Sequence, residues 1–239
     1  MMGGIHLSVR AERGHLTTST SRPECRGLCI SPDILYTGGV VATNERRTLA
    51  VIRSLGVLRA ADLEERGIPR RRLYALLQKG KVVRQARGIY AASNHARTAD
   101  HALAQVAKRV PRGVICLLTA LRFHELTTQL PAEVWIALPE KGRKPRLDYP
   151  RLRVVRFSGA ALTKGIETHR IEGVAVPVYS AAKTVADCFK YRNKVGIDVA
   201  VEALRDFSRR HRGGATALAR FARICRVTRV MQPYLDSIA

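Results

Sequence analysis

Acidic side chains are scarce in this 239-residue chain: 19 Asp and Glu stand against 42 Lys and Arg, a formal net charge of +23. That balance sets up a field that attracts polyanions, nucleic acid foremost. The scarcity becomes complete from Arg66 to Ala99, where no Asp or Glu occurs while Lys and Arg number nine. An arginine-biased proteome would spread charge evenly, whereas a window without acid concentrates it. Long apolar runs are missing too. Although 46% of residues are hydrophobic, no stretch approaches the roughly 20 apolar residues that a membrane-spanning helix needs, so the chain reads as a globular protein in water. The opening residues Met1 to Leu7 lack the basic region and continuous apolar run of a secretory signal, which gives the expectation of a cytoplasmic chain. Cysteine is sparse and odd in number. Cys25 and Cys29, with His6 and His15 nearby, have no second Cys or His pair at a finger-like spacing. No metal and no cofactor are therefore expected, and Cys116 and Cys188, set in apolar runs, read as small core residues.

What is present is ordered around the segment 67–80. Arg70, Arg71 and Arg72 open a short helix whose Leu73, Leu76 and Leu77 recur at i, i+3 and i+4, the period of a helix with one buried face. Stepping about 100° per residue from Leu73, Arg71, Ala75 and Gln78 point most directly away from that stripe, with Arg72, Tyr74 and Lys79 on its flanks. Upstream, Asn44 has the side chain of an N-cap for a helix over 44–55 with Leu49, Ile52 and Leu55 inward, and Gly56 ends it. A second short helix over 60–66 carries Leu63, and Gly67-Ile-Pro69 makes a tight turn with proline at the start of the basic helix. Downstream, two β-prone runs flank Arg84-Gln-Ala-Arg-Gly88, the pattern of a hairpin with Arg84 and Arg87 at its tip. This order of elements is that of a winged helix-turn-helix.

At a prior of roughly 100 to 200 residues per domain, the length suits one large or two modest domains. Residues 1–43 are rich in Gly, Ser, Thr and Arg without periodicity and read as a disordered arm. The winged helix takes 44–95. Over 96–212 helices flank a cluster of strands: a helix to Arg109, another over 119–126, a strand alternating at Val134, Ile136 and Leu138, a strand over 153–157, and a hairpin joined at Glu172-Gly173. Ser180 then caps a helix to Lys190, and a longer helix follows over 197–210. With a helical tail over 213–239, in which Arg220, Arg223, Arg226 and Arg229 form a basic stripe, the fold class is α+β.

Four blocks in this order resemble the AbiEi-type antitoxins of type IV toxin-antitoxin systems. They are Arg87-Gly-Ile-Tyr-Ala91, Leu118-Thr-Ala-Leu-Arg-Phe-His-Glu-Leu126, Val134-Trp-Ile-Ala-Leu-Pro139 and Val178-Tyr-Ser-Ala-Ala-Lys-Thr-Val-Ala-Asp187, covering about 44 to 210. Lys183 stands where that family usually has Arg, and Glu125 where it has glycine. The resemblance implies a repressor that binds operator inverted repeats in double-stranded DNA, and a C-terminal domain that opposes a nucleotidyltransferase-like toxin without a stable complex.

For the DNA half, Arg71 suits a guanine edge, Gln78 an adenine edge and Ala75 a thymine methyl. Arg72, Lys79, Lys81, Arg84 and Arg87 would hold phosphates, Arg70 joins them as first of the three arginines, and Tyr74 either donates its hydroxyl to a phosphate or packs on the hairpin. Two other classes stay open. A metal-dependent nuclease would need clustered carboxylates, for which Glu133, Glu140 and Asp148 are candidates, but Glu140-Lys141 lacks the one-residue gap of a Glu-x-Lys arrangement. His124 with Glu125, and Ser180 with Lys183 and Asp187, invite an acid-base reading against a structural one in which Ser180 is a helix cap, Asp187 a surface or capping group and His124 half-buried. The expectation is that the chain is not an enzyme. An orphan regulator whose second domain dimerises or senses a ligand is the third class.

Overall fold

The computed structural model describes residues 37–238 apart from 96 and 97. Most of the arm expected over 1–43, together with His6, His15, Cys25 and Cys29, lies outside the described residues.

The first helices are α1 (Thr37–Leu55), α2 (Ala60–Glu64) and α3 (Arg70–Gln78), followed by the hairpin β1 (Val82–Ala86) and β2 (Ile89–Ala92). α1 begins at Thr37, not at Asn44. A cap residue only biases a helix end, and backbone bonding runs through Asn44, whose carbonyl accepts from Thr48 Oγ1 at 2.8 Å. Leu58 pairs with Tyr90 through two 2.9 Å backbone hydrogen bonds, so the hairpin gains a third strand position just after α1. One apolar cluster joins these elements, with Ile52, Leu58, Leu63, Leu73, Leu76 and Tyr90 buried in it. Each such side chain contributes on the order of 1.5–3 kcal/mol when fully withdrawn from water. The leucine stripe of α3 is what fixes its rotation: Leu73 and Leu76 are buried and Leu77 half-buried.

Then come α4 (His101–Arg109), β3 (Val114–Ile115), α5 (Leu117–Phe123), β4 (Val134–Pro139), β5 (Leu152–Phe157), α6 (Gly159–Thr163), β6 (Ile166–Ile171) and β7 (Val174–Tyr179). The helices α7 (Ala181–Lys190), α8 (Arg192–Val195), α9 (Ile197–Arg210), α10 (Ala215–Cys225) and α11 (Thr228–Asp236) complete the mixed α and β fold. The five strands lie in the order β5-β4-β3-β7-β6; β3 pairs antiparallel with β4 and parallel with β7.

Strand β4 does not alternate between core and solvent as its sequence pattern suggests; all of Val134 to Leu138 is buried. A strand inside a sheet covered on both faces buries both sets of side chains. Trp135 and Ala137 join the larger core with α5, α7, α9 and α10, while Val134, Ile136 and Leu138 join a second core with α4. Val57 and Ile89 belong to that second core, so the first three helices and hairpin pack against the sheet. The segment after Gly213 is likewise part of the core, through Leu218, Phe221, Cys225 and Met231.

Candidate nucleic-acid interface

With its leucines inward, α3 presents Arg70, Arg71, Tyr74, Ala75 and Gln78 to solvent, Tyr74 at 45% exposure. This is the outer face that the 100° step places there. Arg72 is half-buried and lines a groove between α1 and α3 with Asn44, Glu45, Thr48, Ala75 and Lys79. The arginines crowd the first turn of α3, which has no acid of its own, although the positive end of a helix dipole disfavours cations. Glu64 offsets one of them, its Oε1 lying 2.7 Å from Arg70 Nε. Such a local conflict between charge and helix end is characteristic of functional surfaces.

Three of the ten sequence-chosen residues are therefore paired within the protein. Besides Arg70, Lys79 and Lys81 share the Glu45 carboxylate, Lys79 Nζ at 2.6 Å from one oxygen and Lys81 Nζ on the other. Hydrogen bonds from Lys79 and then Lys81 hold that carboxyl at about 2, far below the usual 4.5. No local pattern marks Glu45 as their partner, because Glu45 and Lys79 are 34 residues apart along the chain. Arg71, Arg72, Arg84 and Arg87 have no ion pair among the described residues.

The hairpin also departs from expectation. Its turn is Arg87-Gly88, with Gly88 at φ +76°, and Arg84 sits within β1 opposite Tyr90, not at the tip. The register slips between Arg84 and Ala86, leaving Gln85 as the extra residue of a bulge. Both arginines stay exposed. Helix α4 braces the unit: Arg109 donates to the Arg87 carbonyl, and Lys108 Nζ lies 2.7 Å from Asp62 Oδ2. Burial works against the Asp62 charge, but the Arg59 N–H at 2.7 Å and the Lys108 ammonium outweigh it and hold the carboxyl below its ordinary value.

The residues weighed for acid-base chemistry fall elsewhere. Asp187 is not a surface or capping group. Helix α7 is buried along its length, so Asp187 and Lys183, four residues apart on one face, ion-pair inside the larger core. Cys225 Sγ bonds the other Asp187 oxygen at 3.1 Å, and Lys183 Nζ sits 4.3 Å from the Tyr179 ring centre. The pair is at zero exposure and both Asp187 oxygens have partners, as a buried charge requires. Ser180 does occupy the N-cap position of α7, but its Oγ makes no capping bond and is buried without a partner. His124 is half-buried as expected, donating Nε2–H to the Tyr179 carbonyl at 2.7 Å, and burial lowers its pKa. Among the described residues Glu133, Glu140 and Asp148 are not part of any set of three groups placed to share a metal ion; that set is His95, His101 and Glu172.

No described helix is long and apolar enough to cross a membrane. No curated protein matches the chain. The sequence blocks at 118–126, 134–139 and 178–187 lie outside the residues that the family model described next matches. From α1 to just beyond β2, over residues 46–93, the chain matches the family described as "Transcriptional regulator, AbiEi antitoxin".

Proposed function

We propose that the chain is a sequence-specific DNA-binding regulator and antitoxin that represses its own operon and opposes a nucleotidyltransferase-like toxin without a stable complex. In this reading residues 44–95 form a winged helix-turn-helix, with α3 as the groove helix and β1–β2 as the wing. Residues 96–212 form the antitoxin part, followed by 213–239, and the chain acts in the cytoplasm without enzymatic turnover. The observation that carries the reading is the exposed face of α3, where Arg71 and Gln78 stand free beside a basic hairpin, within the span that matches an AbiEi regulator. Arginine forks suit guanine and carboxamides suit adenine in the major groove. Arg72, Arg84 and Arg87 hold phosphates, joined by Lys79, Lys81 and Arg70 when those release their carboxylates.

Binding to operator and scrambled duplexes across a salt series tests the DNA half. Arg71→Ala is expected to cost about 1–3 kcal/mol on operator and little on scrambled DNA. Arg87→Ala is expected to weaken both alike and flatten the salt slope. Equal losses on both duplexes for Arg71→Ala refute the assignment. Co-expression with a neighbouring nucleotidyltransferase-like protein, scored for relief of growth arrest, tests the antitoxin half.

A further inference from the structure

Three donor groups that the sequence keeps far apart meet where the first unit joins the sheet. His95 follows β2, His101 opens α4, and Glu172 sits on the β6–β7 turn. Both rings address one oxygen: His95 Nε2 is 2.9 Å and His101 Nδ1 2.6 Å from Glu172 Oε2, and the three donor atoms lie within 4.8 Å of one another. We propose that these residues form a binding site for a divalent transition-metal ion of the zinc class, which ties the DNA-facing unit to the sheet.

Two imidazole nitrogens and one carboxylate oxygen, with a position left for water, form a three-ligand set that suits zinc and its neighbours. At bond lengths of about 2.0–2.1 Å the corners of a zinc tetrahedron are roughly 3.3 Å apart, so the His95 and His101 contacts to Glu172 open by about 0.4 and about 0.7 Å, while the two ring nitrogens, within 4.8 Å of each other, draw together. The outer shell is already built. The second Glu172 oxygen accepts from Thr98 N at 2.7 Å and Thr98 Oγ1 at 2.9 Å, which fixes the carboxylate. His101 Nε2 lies 2.9 Å from the buried Gln105 carboxamide. That carboxamide has two settings. As placed, its nitrogen donates to His101 Nε2 and, at 3.4 Å, to Gln85 Oε1, and its oxygen is buried without a partner. Turned over, the oxygen accepts the His101 Nε2 proton, leaving Nδ1 bare for a metal; this is the second-shell bond that ligating histidines use. With a metal bound, each ring carries its proton on the nitrogen that does not face Glu172. The Glu172 side chain is 2% exposed while His95 and His101 are 16% and 14% exposed, so the carboxylate is enclosed and the rings leave access for an ion.

The test uses the full chain carrying Cys25→Ser and Cys29→Ser, which removes competing thiolates, titrated with Co²⁺ and then Zn²⁺. Expected are one equivalent of Co²⁺, visible ligand-field absorption without a thiolate charge-transfer band, and displacement by Zn²⁺. His95→Gln and His101→Gln keep a side-chain N–H for Glu172, so circular dichroism should be unchanged. Each should weaken Co²⁺ binding by at least about a hundredfold, since even second-shell losses reach that size. Absence of saturable Co²⁺ absorption, or an affinity in either variant equal to that of the parent chain, overturns the proposal. No DNA enters the titration, so its outcome is separate from that of the regulator reading.

Discussion

Glu45 gives the sharpest handle on the charged face. Its carboxylate faces Lys79 and Lys81 together, so this trio carries a net charge of +1. With the carboxyl held at about 2, Glu45 is ionised at any pH used for binding. Glu45→Gln keeps the shape and raises the trio to +2. If the freed charge goes to a phosphate, one more counterion is released and the slope of log K against log salt steepens by about 0.9. With no other energy in the added contact, that makes the variant bind about 15-fold tighter at 50 mM salt and about 4-fold tighter at 200 mM. The gain must be the same on operator and scrambled duplex, because phosphates carry no sequence. Fluorescence anisotropy over a salt series reads all three quantities. An unchanged slope, or tightening on one duplex only, refutes the placement of Lys79 and Lys81 at a phosphate backbone.

Other perturbations probe the frame that carries this face. Gly56→Ala places a Cβ 1.8 Å from the Glu172 carbonyl oxygen at φ +64°, whereas Gly67→Ala, at φ +70°, meets open space. Denaturant melts should show a loss of about 2–5 kcal/mol for the first and about 1–2 kcal/mol for the second; equal losses would mean the turn against Gly56 yields freely. Glu125 sits at φ +56° just after α5, and its ion pair to Arg210 is solvent-exposed. Glu125→Gly is expected to stabilise by about 1 kcal/mol in thermal unfolding, and a destabilised variant contradicts that account. Glu172 is depressed from 4.5 to about 2: burial opposes its charge, but the Thr98 N–H, His101 and His95 outweigh it. Its contribution to stability is full above pH 4.5 and is lost as pH falls toward about 2. In chelator, the stability difference between the native chain and Glu172→Gln should shrink over that window, and a difference constant with pH refutes the link.

Local rules carried the sequence reading a long way. The leucine stripe fixed the rotation of α3 because side chains three and four residues apart share a helix face, and Arg71, Ala75 and Gln78 are exposed accordingly. The run read as a helix over 197–210 coincides with α9, since amphipathic period and flanking glycines are written in consecutive residues. Only the tertiary structure decided the rest. β4 is buried on both faces because α4, with Val57 and Ile89, covers one side and α5 and α7 the other, and a strand's own alternation cannot report what lies over it. Asp187 is inside because α7 is central, Lys79 and Lys81 are paired because α1 passes beside α3, and Glu172 meets His95 across 77 residues of chain. Periodicity and capping act over a few residues, whereas these encounters are set by how separate elements pack, so the longer elements were legible in the sequence, while the short β3, α6 and α8 and the partners of its charges were not.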